Sequence, residues 1–213
     1  LKKGYSLQRT YALSKLESAM MPAIQVGLLV LVVTAPAFIF FSQKGPGAMH
    51  APWLISLAAG LVVGGLSQFS RLCTVGGFRD LFLFKKSILI FGYLAVLIGV
   101  FVVNISFGNF HLGFENQPIA HTDGLWNFLG MALAGFCSVL LGGCPLRQLI
   151  MTGEGNSDSA VTVLGLAAGA AFAHNFGLAA SGAGPTLNGE IAVGVGFVVA
   201  FIIAVLNTKR SNA

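Results

Sequence analysis

Apolar runs of about 20 residues recur along this chain and leave little choice of fold. The 213 residues are 55% hydrophobic and 9% charged, against roughly 25% charged in a soluble domain. A run of about 20 apolar residues crosses a hydrocarbon core of about 30 Å, and helices are the default because backbone groups in lipid must pair internally. The runs are too rich in glycine and alanine, and alternate too little, for an outer-membrane barrel. We therefore predict an all-α integral membrane protein.

Six transmembrane helices are predicted from the positions of these runs. Glycine, proline and charged residues interrupt the apolar sequence between them. The fifth run follows a group of N-cap candidates, Asn156, Ser157, Asp158 and Ser159. The predicted spans are residues 22–42, 52–72, 87–108, 124–143, 160–180 and 190–207.

Basic residues collect on one side of the predicted spans. With both termini in the cytoplasm, all but one of the 12 lysines and arginines lie in inside segments, and Lys44 is the exception. The positive-inside rule therefore predicts a multi-pass membrane protein with cytoplasmic termini, and we expect it in the bacterial inner membrane. The same rule accounts for the net charge of +5, so we do not expect nucleic-acid binding.

An internal repeat underlies the middle of the chain. Shifting the sequence by the spacing of Cys73 and Cys144 sets "AAGLVVGGLSQFSRLC" over "GMALAGFCSVLLGGC". Duplicated halves with broken helices are common in transporters, whose site lies between the repeats. Whether the two units run parallel or inverted stays open. The predicted organisation is a basic arm (1–21), a first transmembrane helix (22–48), two repeat units (49–120 and 121–207, the second including the last helices) and a tail (208–213).

Each repeat unit places a cysteine where an apolar run ends, in "RLCTVGGFRDL" (71–81) and "GGCPLRQLI" (142–150). Cys144 stands at an N-cap position and Pro145 at the first helical position, which predicts a short helix from Pro145. A second short helix is predicted after Cys73, through the turn "TVGG". Free N–H groups at helix starts favour anions and thiolates, and arginines add positive charge. The predicted substrate path contains Cys73, Cys144, Gly76, Gly77, Arg79, Gly143 and Arg147.

His174 and Asn175 extend this predicted path into the fifth span, where polar residues are expensive and face a partner or a cavity. An interhelical hydrogen bond is the alternative for both. Arg79 and Asp80 have a similar alternative, because they could form an interfacial ion pair. Cys137 lies on the helix face of Cys144 and is expected to be a packing residue.

Motifs for other chemistry do not appear in the sequence. There is no CxxC, no HxxxH, no carboxylate pair at ligand spacing and no Ser/His/Asp or haem-attachment arrangement. We therefore predict no catalytic residues, no metal site and no cofactor.

Three strings resemble the YeeE/YedE family of sulfur-compound transport proteins, most closely its YedE-like branch associated with selenium metabolism. They are "RLCTVGGFRDLFLF", "LGGCPLRQLIMTGEGNSDSAVTVLG" and "AHNFGLAASGAGPT", and the resemblance extends over about residues 50–190. It implies helices that dip into the bilayer, with cysteines at their ends that pass a thiosulfate-like ion by S–H hydrogen bonds. Cys73 and Cys144 match the two central pathway cysteines.

Family members usually have more than six spans. The chain thus resembles the C-terminal part of such a protein, and we expect a missing N-terminal half, a partner subunit or further copies of the chain to complete it. The predicted function is a transporter or channel for a small sulfur- or selenium-containing anion in the lipid bilayer. Two alternatives stay open: a membrane thiol oxidoreductase or selenium-handling enzyme, and a non-transporting subunit of a larger complex.

Overall fold

The computed structural model describes residues 15–34, 48, 50–114 and 121–210. These ranges contain helices and no strand, apart from an isolated bridge between Ser181 and Gly184, which confirms the predicted all-α class. The helices are α1 (Lys15–Thr34), α2 (Trp53–Ser70), α3 (Thr74–Phe84), α4 (Ile88–Ser106), α5 (Gly124–Leu141), α6 (Pro145–Gly153), α7 (Ser157–Asn175) and α8 (Leu187–Arg210).

Within the described ranges, four helical stretches are long and apolar enough to cross a membrane. They are Trp53–Phe84, Ile88–Ser106, Gly124–Gly153 and Leu187–Asn207. The first and third each contain two helices with a break between them, α2 with α3 and α5 with α6. A shorter apolar helix, Ala19–Thr34, belongs to α1. The predicted total of six spans stays a prediction, and the fifth predicted run corresponds to α7.

Both ends of the predicted organisation extend past what the structure describes. Of the predicted arm, residues 1–14 lie outside the described ranges and residues 15–21 belong to α1. Residues 35–47 of the predicted first transmembrane segment and residues 211–213 of the predicted tail also lie outside them.

The two breaks share one backbone geometry. At the first, Arg71 has a left-handed φ of 52°; its N–H donates to the Gln68 carbonyl at 3.3 Å, and the next N–H donates to the Ser67 carbonyl at 3.2 Å. At the second, Gly142 has φ 77° and the same pair of bonds runs to Val139 and Ser138 at 3.1 Å each. Such a left-handed residue closes the last turn by satisfying its free carbonyls. Each helix therefore ends at its break because of its own backbone hydrogen bonds.

The flanking helices match as well. Helices α2, α3 and α4 have 18, 11 and 19 residues, and α5, α6 and α7 have 18, 9 and 19. In each half the short helix packs on the long helix that follows it, α3 on α4 and α6 on α7. The halves contact each other crosswise, α2 with α6 and α3 with α5, and α8 packs on α5. This arrangement agrees with an internal duplication, while the domain boundaries stay a prediction.

Burial is concentrated at the breaks. The chain exposes 16026 Å², whereas a soluble protein of 22.2 kDa exposes about 9,400 Å². The buried apolar residues among those described are few, and two are the thiols: Cys73, Leu140, Cys144, Ala160 and Ala200. The large exposed apolar surface suits contact with lipid or with further protein.

Candidate functional site: two thiols at paired helix starts

The first helix start is capped by a thiol. Cys73 is the N-cap of α3, and its sulfur accepts the N–H of Gly76 at 3.3 Å. A Cβ on Gly76 would lie 3.4 Å from that sulfur, so the missing side chain makes room for the cap. Thr74 begins α3, which places Gly76 in the first turn of the helix rather than in a turn before it.

Gly77 fixes α3 against the next helix. A Cβ on this buried residue would lie 3.4 Å from the Ile90 nitrogen and from the Leu89 carbonyl carbon. The two backbones can approach this closely because glycine has no side chain. Gly77 therefore acts in packing, by letting α3 lie against the first turn of α4.

The second helix start has the predicted residues in the predicted positions, with Cys144 at the N-cap and Pro145 in the first turn. The Cys144 sulfur makes no cap hydrogen bond within α6. Instead, the side chain of Gln148, which is 4% exposed, donates to the Leu141 carbonyl at 3.2 Å. This bond satisfies a carbonyl at the end of α5 and ties the two helices together across the break.

The two thiols are neighbours. The side chains of Cys73 and Cys144 are close enough to interact electrostatically, both are buried, and neither forms a disulfide. The Cys73 sulfur lies near the Cys144 N–H, and the Cys144 sulfur lies near the N–H of Arg147 in its own helix and near the N–H and hydroxyl of Thr74. Each sulfur thus lies between its own helix start and that of the other half. Partial positive charge from both helices converges on one small volume.

Arg147 extends this site through a polar network. Its Nη1 donates to the side-chain oxygen of Gln68 at 3.4 Å, and its Nη2 lies 3.7 Å from a carboxylate oxygen of Glu154. The Gln68 amide also donates to Glu154. A Cβ on Gly143 would lie 3.4 Å from Cγ of Arg147, so this glycine gives the arginine stem its space.

Sequence reasoning missed Gln68, Gln148 and Glu154. The available signal was their position, since Gln68 and Gln148 are polar residues within five residues of a break and Glu154 ends the short helix that follows the second break. Polar residues at such positions in a membrane segment usually have a partner.

The remaining predicted residues are placed away from the thiol contact. Arg79 is half exposed and donates twice to Asp80, at 2.9 and 3.0 Å, which is the ion-pair alternative. Asn175 donates to the Ala171 carbonyl of its own helix at 2.8 Å, and His174 is exposed. Among the described residues, no hydrogen bond or ion pair connects His174 or Asn175 with either cysteine. Their proposed role in a path stays a prediction.

The described part of the chain contains no group of three or more His, Cys, Asp and Glu residues that could hold a metal ion. An apolar groove of about 900 Å³ between α1 and α2 is lined by neither thiol. The paired helix starts are therefore the site with the clearest chemistry: two soft, weakly donating S–H groups in a field that favours anions.

Comparison with known proteins agrees with this chemistry. The family model for sulphur transport matches residues 69–208, a range that contains both cysteine motifs. The chain belongs to this sulphur transport family. It is also 30% identical over 111 residues to the thiosulfate transporter TsuA of Escherichia coli (strain K12).

The match to TsuA covers 50% of this chain and 30% of the relative. The chain thus spans well under two thirds of the curated relative. No solved structure matches. The predicted YeeE/YedE resemblance is confirmed at the level of the family, and assignment to the selenium-associated branch stays a prediction.

Proposed function

We propose that this chain forms part of a membrane transporter for a thiosulfate-like sulfur anion, and that Cys73 and Cys144 line its path. The observation that supports the proposal most is the proximity of two buried free thiols, each at the start of a helix. Membership of the sulphur transport family and similarity to a thiosulfate transporter agree with it.

The chemistry of the site suits passage rather than capture. An anion that leaves water needs hydrogen-bond donors and positive potential to replace its hydration. The free N–H groups at the starts of α3 and α6 supply the potential, each helix contributing roughly half a positive charge. Thiols are weak donors, so they stabilise the dehydrated anion without holding it. The ion passes from one S–H group to the next because the two thiols are neighbours.

Thiosulfate uptake into cells that have no other uptake route tests the proposal. We expect Cys73→Ala and Cys144→Ala each to reduce uptake by about tenfold to a hundredfold, the usual range for losing a hydrogen bond to a charged partner. Cys137→Ala is the matched control, since this half-buried thiol lies on α5 before the break. Normal uptake in both site variants, with the protein present in the membrane, would contradict the proposal.

A thiol oxidoreductase is the second candidate, because two neighbouring free thiols can form a disulfide by exchange with an external disulfide, which is reduced to two thiols. Membrane vesicles from cells expressing the protein separate the two. Flux of labelled thiosulfate without a reductant supports transport, whereas flux that requires a reductant supports redox chemistry. Competition by selenite in the same vesicles tests the selenium alternative.

We further propose an inner-membrane location with cytoplasmic termini, and completion of the transporter by a missing N-terminal part, a partner subunit or further copies of the chain. The large exposed apolar surface and the 30% coverage of TsuA support additional protein. The native mass of a gently solubilised complex tests this proposal, and a mass equal to one chain in its detergent micelle would contradict it.

A further inference from the structure

We propose that Gln68, Arg147 and Glu154 form a charge-compensated selectivity site beside the thiols, in which Glu154 prevents Arg147 from retaining the transported anion. This inference rests on the proposed function, because it assigns the residues that set affinity and selectivity for the same anion. Gln68 and Glu154 are the new elements, since only Arg147 was expected from the sequence.

The network joins both halves of the repeat. Gln68 comes from the last turn of α2, five residues before Cys73, and Arg147 from the first turn of α6, three residues after Cys144. Glu154 caps the C-terminal end of α6. The three side chains are connected pairwise by two hydrogen bonds and an ion pair. A cation is therefore held at a fixed place near the thiols by groups from two different helices.

Partial exposure leaves the arginine available to a ligand. Its side chain is 23% exposed and that of Glu154 is 37% exposed. A guanidinium has five N–H donors, and the described contacts to Gln68 and Glu154 use one nitrogen each. The planar fork matches an oxyanion, so an incoming anion could bind Arg147 while Glu154 competes for the same charge.

The repeat offers an internal comparison that isolates this network. At the equivalent positions of the other half, Arg147 corresponds to Gly76, Glu154 to Leu83, and Gln68 to Val139. None of the three polar residues is thus repeated at the equivalent position of the opposite half, whereas the breaks and their backbone hydrogen bonds are repeated. A helix therefore ends at its break without these side chains, and polar residues in membrane segments usually have a functional partner.

The need for the transported ion both to enter and to leave the site explains why Arg147 is paired with Glu154. A site on a path must attract the ion strongly enough for entry and weakly enough for exit. Arg147 alone would bind a doubly charged anion tightly, whereas Arg147 with Glu154 has no net charge and only a local positive face. The Glu154 carboxylate therefore lowers the affinity of the site for the anion and raises the rate of transport.

The test compares thiosulfate affinity of the purified protein, by titration calorimetry, with uptake kinetics in membrane vesicles. We expect Glu154→Gln to lower both Kd and KM about tenfold and to lower the maximal rate. Arg147→Gln should raise Kd and KM about tenfold and weaken discrimination against chloride. The double variant should resemble Arg147→Gln, because the carboxylate acts through the arginine. Lys86→Gln is the control, since it removes an equal charge from the exposed loop between α3 and α4.

The outcomes separate this inference from the proposed function. If wild-type protein neither binds nor moves thiosulfate, both fall. If it does, and Glu154→Gln weakens binding or leaves it unchanged, the selectivity site is overturned and the proposed function stands. If Arg147→Gln fails to reach the membrane, Arg147→Lys keeps the charge and takes its place. Arg147→Lys should retain discrimination against chloride, and Glu154→Gln should still bind thiosulfate more tightly. Loss of discrimination in Arg147→Lys together with unchanged affinity in Glu154→Gln would overturn the inference.

Discussion

The two breaks, Arg71–Cys73 and Gly142–Cys144, have the same backbone and different side chains. Both end a helix of 18 residues with a left-handed residue and the same two hydrogen bonds. The first is stabilised by a thiol cap on α3 and by close packing of α3 on α4. The second is stabilised by the buried side chain of Gln148 and is flanked by the charged network. The backbone of the two halves is thus nearly symmetric, while the side chains that stabilise the two breaks differ.

Three sets of variants probe this comparison, and the packing glycine should show the largest effect. Gly77→Val would force a branched side chain against the backbone of α4, where even a Cβ lies at 3.4 Å. We expect a loss of about 3 kcal/mol in the free energy of unfolding, at the upper end for overpacking, measured by unfolding in mixed SDS and detergent micelles. Gly64→Val is the control, because a Cβ there has no neighbour within 4 Å. Equal effects at the two positions would show that the first half does not depend on close approach.

Substitutions at the two left-handed residues, Arg71 and Gly142, should change the free energy of unfolding in opposite directions. Arg71→Gly removes the cost of a side chain at φ 52° and should raise the free energy of unfolding by about 0.5 kcal/mol, after allowing for the greater freedom of glycine in the unfolded chain. Gly142→Ala adds that cost and should lower it by about 1 kcal/mol. The same micelle assay measures both. A loss of stability in Arg71→Gly would mean that the arginine side chain makes a contribution larger than its backbone cost.

The two cysteines should show the smallest difference in their effect on the free energy of unfolding. Cys73 caps α3 and Cys144 makes no cap bond, so Cys73→Ala should cost about 0.5 kcal/mol more than Cys144→Ala. Cys73→Ser should recover this difference, since serine is a good N-cap, while thiosulfate uptake stays low because the thiol is gone. Stability and uptake that change together in Cys73→Ser would contradict separate roles in capping and transport.

Local features of the site could be predicted from the sequence. The apolar runs, the proline after Cys144 and the repeat of small residues before each cysteine are short-range patterns, and each corresponds to a helix or a cap in the structure. The Arg79–Asp80 pair was also visible, because adjacent opposite charges need no tertiary contact to meet.

Long-range features could not be predicted in this way. The thiols are 71 residues apart in sequence, and they meet because α2 contacts α6 and α3 contacts α5. The partners of Arg147 likewise depend on packing, since Gln68 lies on another helix and Glu154 lies two turns away. The start of α3 was placed too late for a local reason: glycines suggest a turn, whereas Gly76 and Gly77 lie inside a helix because of what packs against them.

The turn at Arg71 also bears on how the polypeptide fits the thickness of a bilayer. Trp53–Phe84 is a stretch of 32 residues, and about 20 residues suffice to cross the hydrocarbon. As a straight rod it would measure about 48 Å and project well beyond a hydrocarbon core of about 30 Å. The left-handed residue ends α2 after 18 residues, or about 27 Å, so the length of this rod matches the thickness of the hydrocarbon.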